Sequence, residues 1–227
     1  MQEKALILDF GAQYTQLIAR RVRELEIFSE IIPYHALPSI VPEDVKALIL
    51  SGSPFSVKDE NALRPDLSPW IGKVPILGIC YGAQYVADLL GGRVEKSDKR
   101  EYGKARLHIV QPKHPLFAGI PEGSQVWMSH GDSILEIPGD YELLAETDSI
   151  PVAAYASKQG ALEKMVCCVQ YHPEVTHSLH GHDMLKNFLR GIAGFTEKWT
   201  PELFIEETID NIQKSTYGEE VLLALSG

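Results

Sequence analysis

The segment 74–79, Val-Pro-Ile-Leu-Gly-Ile, is almost wholly apolar. A strand that is apolar on both faces is typical of the centre of a parallel sheet, where helices cover each face. Similar runs at 6–8 and 47–50 precede it, and a polar or glycine-bearing turn follows each of them. Alternating strands and helices predict an α/β fold with an open, mostly parallel central sheet flanked by helices. The first helix is indicated by apolar residues at helical spacing, namely Leu17, Ile18, Val22 and Leu25.

The middle of the chain, from 93 to 155, has a different pattern. Its strands are shorter and are separated by glycine and proline turns, with examples at 105–110 and 125–128. This pattern predicts a smaller antiparallel β section. The main sheet is expected to resume at 165–170, because that segment is again apolar.

Two helices are predicted in the last third of the chain. The first follows His182, and Gly191 and Gly194 are its predicted stop signals. The second begins at Thr200, whose hydroxyl is expected to cap the helix, with Pro201 in the first helical position. Its apolar side consists of Phe204, Ile205, Ile209 and Ile212.

The last seven residues, 221–227, read Val-Leu-Leu-Ala-Leu-Ser-Gly. A strand this apolar needs neighbours on both faces, so we expect it to belong to a domain that continues beyond this sequence. The predicted organisation is therefore one domain at 1–195, followed at 196–227 by a linker helix and the first strand of a further, truncated domain.

Composition argues against several classes of function. The 227 residues are 44% hydrophobic and 23% charged, as is usual for a globular protein, and they carry a formal net charge of −10. An acidic chain without clustered Lys and Arg is a poor partner for nucleic acid. No apolar run approaches the roughly 20 residues that span a bilayer, and the N-terminus lacks a signal-peptide pattern. Three cysteines do not make a disulfide framework, so we expect a cytoplasmic protein.

Cys80 directly follows the apolar strand 74–79 and precedes a segment with helical spacing. The flanking glycines, Gly78 and Gly82, are expected to allow a sharp turn there. Such a strand-turn-helix elbow places a thiol at the carboxyl end of a sheet and near the positive end of a helix, where the thiolate is favoured. The pattern predicts a nucleophile, although a small buried cysteine at the end of a strand has the same sequence signature.

His172 and Glu174 come just after the late apolar segment, and so also lie at the carboxyl end of a strand. Residues two apart in an extended segment face the same way, and Pro173 stiffens the backbone between them. A nucleophilic thiol needs a base, and the base needs a group that orients it. By itself this histidine could be an ordinary surface residue, but together with the Cys80 elbow it predicts a Cys-His-Glu triad.

Acyl transfer also requires hydrogen-bond donors for a developing oxyanion, and backbone amides in tight turns are the usual source. Gly52, in the turn after the strand 47–50, is one candidate, and Tyr81, directly after the nucleophile, is the other. Both could instead be plain turn positions.

Other polar residues are ambiguous in the sequence. Cys167 and Cys168 lie in an apolar strand and are predicted to be core. Residue types alone suggest that 129–132, Ser-His-Gly-Asp, is a polar turn after the strand 125–128. No metal site is predicted, because the remaining candidate ligands lack a carboxylate or thiolate set at a recognised spacing. These candidates are His177, His180 and His182.

Two segments carry a family resemblance: Gly-Ile-Cys-Tyr-Gly at 78–82 and Gln-Tyr-His-Pro-Glu-Val at 170–175. They resemble the class I glutamine amidotransferases, which have a flavodoxin-like α/β fold and a Cys-His-Glu triad. The resemblance implies that such a domain hydrolyses L-glutamine through a thioester and releases ammonia for a second active site. In these terms Cys80 attacks the side-chain amide, His172 transfers protons and Glu174 orients it. Gly52 and Tyr81 would supply the oxyanion hole.

Further segments at 8–21, 51–54, 100–103 and 128–132 resemble one branch of that family, in which an ATP pyrophosphatase (synthetase) domain follows the glutaminase. This implies that no cofactor binds to the present chain, and that ATP, magnesium and the amination acceptor bind to the synthetase domain. The terminal segment resembles the strand that enters the phosphate-binding loop of that domain, and the full-length protein is implied to be a homodimer. The implied glutamine-binding groups are the side chain of Gln84 and backbone groups of Ser129, His130 and Gly131.

Two other interpretations remain at this stage. The same triad could supply ammonia to a different synthetase, or the chain could be a binding or regulatory module that retains the pocket without activity. The presence of both Cys80 and His172 argues against the second interpretation.

Overall fold

A computed structural model describes residues 2–217, apart from the side chains of 97–101 and 207. The predicted terminal strand at 221–227 lies outside the described residues. The helices are α1 (Thr15–Glu24), α2 (Tyr81–Leu89), α3 (Gly181–Lys186) and α4 (Pro201–Ser215). The strands are β1 (Lys4–Asp9), β2 (Phe28–Pro33), β3 (Val45–Leu50), β4 (Ile76–Ile79), β5 (Arg93–Arg106), β6 (His108–Ile109), β7 (Gln125–Glu136), β8 (Tyr141–Glu146), β9 (Ala154–Ser157) and β10 (Val166–Val169).

The main sheet has eight strands in the order β2-β1-β3-β4-β10-β9-β8-β6. The first five of these are mutually parallel, and β9, β8 and β6 continue the sheet in antiparallel fashion. β5 and β7 form a separate two-stranded antiparallel sheet. The predicted α/β class, with a mostly parallel sheet and a smaller antiparallel section, is confirmed, although part of the antiparallel section extends the main sheet.

Both faces of the parallel strands are buried. In β1, Ala5 and Ile7 belong to one core cluster, while Leu6 and Leu8 belong to the other. This alternation explains why the strands read as continuous apolar runs in the sequence. Because β1, β3, β4 and β10 are parallel, the loops that follow them meet at one edge of the sheet, where ligands bind in open α/β folds.

The prediction of a single strand at 105–110 is wrong. The chain leaves β5 at Arg106 and enters β6 at His108, so that it changes from the small sheet to the main sheet. Leu107 lies at the crossing, is fully buried, and donates its amide hydrogen to the carbonyl of Ser124 at 3.0 Å. The alternation of apolar and polar residues in the sequence cannot reveal that the chain changes from one sheet to the other, because the residues on both sides of Leu107 are extended.

The prediction of a polar turn at 129–132 is also wrong, because these residues lie inside β7. Tyr102 pairs with Ser129 and Lys96 pairs with Asp132, with an irregularity in the register between these two pairs. Polar residues mask the strand in the sequence, and in the structure these four consecutive residues line a cavity.

Near the end of the described chain, α3 continues into a π-helical turn, Asn187–Ile192. Gly191 lies inside this turn, so its predicted role as a stop signal is wrong, whereas Gly194 follows the turn with a φ of 70°. In α4 the predicted cap is confirmed, since Thr200 Oγ1 accepts a hydrogen bond from the amide of Leu203 at 3.3 Å. No helix among residues 2–217 is long and apolar enough to cross a membrane.

Candidate active site

Cys80 joins β4 to α2. Its backbone has a left-handed φ of 52° and a ψ of −105°, a conformation that few residues other than glycine adopt. The Cys80 amide donates to the carbonyl of Val169 at 2.9 Å, and the Cys80 carbonyl accepts from the amide of Gln84 at 3.0 Å. One bond ties the elbow to β10 and the other starts α2. The predicted strand-turn-helix elbow is confirmed.

The prediction that Gly78 and Gly82 provide the sharp turn is wrong, because Cys80 itself is left-handed and neither glycine has a positive φ. The glycines instead allow close packing. A Cβ atom on Gly78 would lie 2.9 Å from the amide nitrogen of Ala83, and one on Gly82 would lie 2.5 Å from the Cβ of Leu50. Their absence of side chains lets the first turn of α2 lie directly on β3 and β4.

His172 and Glu174 lie in the loop after β10, beside the elbow. His172 Nδ1 is 2.7 Å from Glu174 Oε1, and the two residues are 4% and 1% exposed. Backbone contacts fix the imidazole further: the His172 amide donates to the Trp127 carbonyl at 3.0 Å, and Ser178 Oγ donates to the His172 carbonyl at 2.6 Å. The carboxylate therefore holds the Nδ1 side of the ring, which leaves Nε2 for another partner.

Cys80 supplies that partner. Burial by itself would lower the pKa of His172, because a buried imidazolium loses its hydration. Charge interactions and hydrogen bonds with Cys80 and Glu174 outweigh burial, so the pKa of His172 lies well above its usual value of 6.5. The structure thus brings the three predicted catalytic side chains together, in an arrangement that favours proton transfer from the thiol to the imidazole.

Gly52 and Tyr81, the predicted oxyanion donors, also lie at this edge of the sheet. Tyr81 is the first residue of α2, where backbone amides have no acceptor within the helix. Gly52 follows β3, and a Cβ atom there would lie 3.3 Å from His172 Cε1 and 3.7 Å from Cys80 Cβ. A side chain at position 52 would therefore crowd the imidazole, whereas its contact with Cys80 would be an ordinary van der Waals contact.

Two cavities meet at Cys80. The first, of about 350 Å³, is bordered by all four residues predicted to bind substrate, namely Gln84, Ser129, His130 and Gly131. The second, of about 260 Å³, is bordered by the loops 11–14 and 52–54 and by His172. Cys80 and Ser129 line both cavities, and the Cys80 Sγ atom lies 3.7 Å from the Ser129 carbonyl oxygen.

Gln84 and His130 do not project freely into the first cavity. Gln84 is 3% exposed and its Nε2 donates to the carbonyl of Asp132 at 2.8 Å. His130 is 4% exposed, and its Nε2 lies 3.1 Å from Nε2 of Gln170, a residue that also accepts a hydrogen bond from the Ile134 amide at 2.9 Å. Burial is the main reason that the pKa of His130 is lowered to about 4. Both side chains therefore hold the cavity wall in place.

Cys167 and Cys168 are fully buried in β10, as predicted. Burial raises the pKa of the Cys168 thiol to about 12 and that of Cys167 well above its usual value.

Of the three candidate metal ligands, His177 packs against Trp127 with ring centroids 4.5 Å apart. Within the described part of the chain, no group of three or more His, Cys, Asp or Glu could hold a metal ion.

Three supports of His172 were not predicted. Tyr14 packs edge-on against the imidazole, with ring centroids 5.6 Å apart. Ser178 binds the His172 carbonyl, and Gly181 lets α3 approach the loop, since a Cβ there would lie 1.9 Å from the Pro173 carbonyl oxygen. In the sequence, Ser178 and Gly181 follow the triad loop closely, but serine and glycine are common in ordinary turns and so did not indicate these contacts.

Comparison with known proteins agrees with this geometry. The family model for glutamine amidotransferase class-I matches residues 6–192, and the chain belongs to that family. A GMP synthase (glutamine-hydrolyzing) from Cytophaga hutchinsonii is 52% identical over 227 residues, and one from Bacteroides fragilis is 51% identical. In both comparisons all of this chain is matched, but it spans only 44% of the relative's length.

Solved structures give the same fold. A Thermoplasma acidophilum protein described as a candidate component of GMP synthase is 30% identical, with a TM-score of 0.73 over 94% of this chain and 98% of the other. A glutamine amidotransferase from Thermotoga maritima is 15% identical, with a TM-score of 0.66 over 86% of this chain and 100% of the other. At that identity the second likeness concerns the fold alone.

Proposed function

We propose that this chain hydrolyses L-glutamine to L-glutamate and ammonia through a thioester on Cys80, as the glutaminase part of a GMP synthase. The observation that carries the proposal is the thiol held in a left-handed elbow beside the buried His172–Glu174 pair, at the junction of two cavities. Membership of the glutamine amidotransferase family supports the choice of substrate.

The first half of the reaction forms the thioester. His172 takes the proton of the Cys80 thiol, and the sulfur attacks the amide carbon of the glutamine side chain. The carbonyl oxygen becomes an oxyanion that accepts hydrogen bonds from the amides of Gly52 and Tyr81. The carbon–nitrogen bond then breaks as the imidazolium returns its proton to nitrogen, and ammonia leaves.

The second half regenerates the thiol. His172 takes a proton from a water molecule, whose oxygen attacks the thioester carbon. The carbon–sulfur bond breaks, the imidazolium protonates the sulfur, and glutamate leaves. Since His172 borders the second cavity and not the first, ammonia departs and water arrives on the side of the loop 11–14, while the carbon skeleton occupies the first cavity.

We further propose that the ammonia is used for ATP-dependent amination of XMP to GMP, a ligase reaction of purine nucleotide biosynthesis. Support comes from the names of the relatives and from their greater length, of which this chain spans 44%. ATP and magnesium would bind to the synthetase part of the protein, and the loops around Cys80 would face that part. A glutaminase that serves another synthetase has the same triad, so the acceptor must be tested separately.

The direct test is ammonia release from saturating L-glutamine under reducing conditions, for the chain and its Cys80→Ala variant. We expect activity to fall by roughly 10³-fold or more, since the nucleophile of a covalent mechanism is removed. Cys167→Ala, which removes a fully buried thiol from β10, is the matched control and should retain turnover. Equal activity of Cys80→Ala and the unaltered chain would contradict the thioester mechanism.

A glutaminase of this kind can depend on its synthetase for activity. The same assay is therefore repeated with the synthetase part, ATP, magnesium and XMP, and GMP formation is measured together with ammonia. Cys80-dependent GMP formation supports the full proposal. Absence of Cys80-dependent ammonia release in both assays contradicts it.

A further inference from the structure

The hydroxyl of Ser178 joins the catalytic base to β7. Ser178 lies six residues after His172 and is 5% exposed. We propose that Ser178 is a positioning residue for the glutaminase reaction: its hydroxyl fixes the backbone of His172 on β7 and thereby aligns the imidazole with the Cys80 thiol. This inference rests on the proposed function and goes beyond it, because it names a residue outside the triad that sets the geometry of the base.

Trp127 and His172 resemble a hydrogen-bonded pair of an antiparallel ladder in which one bond has been widened. The His172 amide donates directly to the Trp127 carbonyl at 3.0 Å. In a regular pair the second bond would run from the Trp127 amide to the His172 carbonyl. Here the Ser178 hydroxyl stands between these groups, because Oγ accepts from the Trp127 amide at 3.0 Å and donates to the His172 carbonyl at 2.6 Å. One serine side chain therefore completes the backbone pairing of the base.

The same strand also contacts the nucleophile. The Ser129 carbonyl oxygen lies 3.7 Å from Cys80 Sγ, and Ser129 is two residues after Trp127, or about 7 Å along β7. Over these residues β7 pairs with β5 without a shift in register. The thiol and the backbone of the base thus contact one regular strand two residues apart. Movement of His172 away from Trp127 would change the distance between the imidazole and the sulfur.

Other hydrogen bonds place Ser178 beside β7 and leave the His172 carbonyl to its hydroxyl. The Leu179 amide donates to the Gln125 carbonyl at 3.1 Å, and Gln125 Nε2 donates to the His177 carbonyl at 2.8 Å. Ser178 does not occur among the described residues that line the two cavities at Cys80. Its side chain therefore acts on the reaction through His172 and not by touching glutamine.

A purely structural role gives different results. Ser178→Ala leaves two buried backbone groups without their partner, and this lowers stability whichever role is correct. A structural role predicts normal turnover in the molecules that are folded. A positioning role predicts a lower kcat at unchanged KM, together with a changed pH dependence of thiol reactivity, because the imidazole is no longer aligned with the sulfur.

The first experiment measures kcat and KM for ammonia release at a temperature at which circular dichroism shows every variant to be folded. We expect Ser178→Ala to lower kcat by about 10- to 100-fold and to change KM by less than about threefold. Ser178→Thr keeps a hydroxyl and should retain kcat within about fivefold. Ser124→Ala is the matched control and should change kcat by less than about twofold. Ser124 is 6% exposed, and its hydroxyl donates to the Pro121 carbonyl at 2.5 Å, outside the triad loop.

The second experiment needs no glutamine. Alkylation by iodoacetamide requires the thiolate, so the rate of Cys80 alkylation is measured against pH, with Cys80→Ala as the background. Cys167 and Cys168 are fully buried and should react slowly. We expect Ser178→Ala to move the midpoint of the profile to higher pH by about one unit, which corresponds to about tenfold slower alkylation below the midpoint. Ser124→Ala should leave the midpoint unchanged.

Unchanged kcat and an unchanged midpoint in Ser178→Ala would overturn the inference and leave the proposed function intact. Equal losses in Ser124→Ala, or a Ser178→Thr variant no more active than Ser178→Ala, would also overturn it. If Ser178→Ala does not fold, Ser178→Cys, which keeps a weaker donor, replaces it in the kcat measurement. Absence of Cys80-dependent ammonia release by the unaltered chain, with and without the synthetase part, would instead contradict the proposed function, and the alkylation profile would still test the alignment of His172 with the thiol.

Discussion

Two equally buried histidines border the two cavities that meet at Cys80, one at each cavity, and their acid–base properties differ. His172, in the loop after β10, and His130, in the middle of β7, are each 4% exposed. The pKa of His172 is raised well above 6.5, whereas that of His130 is lowered to about 4. Equal burial with opposite outcomes means that burial alone does not set these pKa values: burial dominates at His130 but is outweighed at His172.

The difference lies in the partners. Burial lowers both pKa values, but His172 has the Glu174 carboxylate at 2.7 Å and the Cys80 thiol on its other side. At His130, whose Nε2 lies 3.1 Å from the Gln170 amide nitrogen, burial lowers the pKa, a hydrogen bond with the Asp132 backbone raises it, and the charge of His172 lowers it further. The comparison therefore separates a histidine suited to proton transfer from one that holds a strand in place.

The largest expected effect comes from removing the ionic partner. The pKa of His172 is raised by its interactions with Cys80 and with Glu174. Glu174→Gln keeps the size of the side chain but loses the carboxylate charge, so we expect kcat for glutamine hydrolysis to fall by about 10²- to 10⁴-fold. The measurement is ammonia release at saturating glutamine. Glu163→Gln, at an exposed position, is the control. If kcat were unchanged in Glu174→Gln, the carboxylate would not be what makes His172, unlike His130, suited to proton transfer.

The second prediction concerns His130 and acid. The folded-state pKa of about 4 lies below the unfolded value of about 6.5, so the unfolded chain binds more protons between these pH values. The contribution of His130 to stability is thus fully present above about pH 6.5 and is lost as the pH falls towards about 4, by about 3 kcal/mol in total. Urea unfolding of the chain and of His130→Gln over this range measures it.

The difference in unfolding free energy between the unaltered chain and His130→Gln should change steadily with pH between about pH 6.5 and about pH 4. A difference independent of pH would contradict the lowered pKa. Gln170→Glu sharpens the comparison, because a carboxylate beside His130 should raise the pKa of that ring, which NMR titration can follow.

The third prediction tests the packing beneath the elbow. Gly82→Ala places a Cβ atom 2.5 Å from Leu50 Cβ and 2.7 Å from the Leu50 carbonyl oxygen, so backbone must move. We expect the free energy of unfolding to fall by about 1 to 3 kcal/mol. Gly139→Ala, where a Cβ would meet nothing within 4 Å, is the control for thermal or urea unfolding. Equal effects of the two substitutions would show that α2 does not depend on this contact.

The catalytic side of the site could be predicted from the sequence because its signals are local. Continuous apolar runs mark β1, β3, β4 and β10, and a polar or glycine-bearing segment follows each of them at the edge where loops converge. Cys80, His172 and Glu174 lie at such positions, and the structure brings them together.

The opposite side could not be predicted in the same way. β7 includes Ser129, His130 and Asp132, and these residue types are typical of a turn unless the cavity and the pairing with β5 are known. Likewise, the change of sheet at Leu107 depends on partners that are distant in sequence. The bond between Gln170 and His130 spans 40 residues and leaves no periodic pattern.

The backbone conformation of Cys80 has a consequence for how such a chain changes over generations. A φ of 52° with a ψ of −105° costs a non-glycine residue on the order of 1 to 3 kcal/mol, and glycine would relieve most of that strain. A lineage with no need of the thiol would therefore gain stability by the replacement Cys80→Gly. Selection for stability alone disfavours cysteine at position 80, so the presence of cysteine there indicates that the thiol is still used.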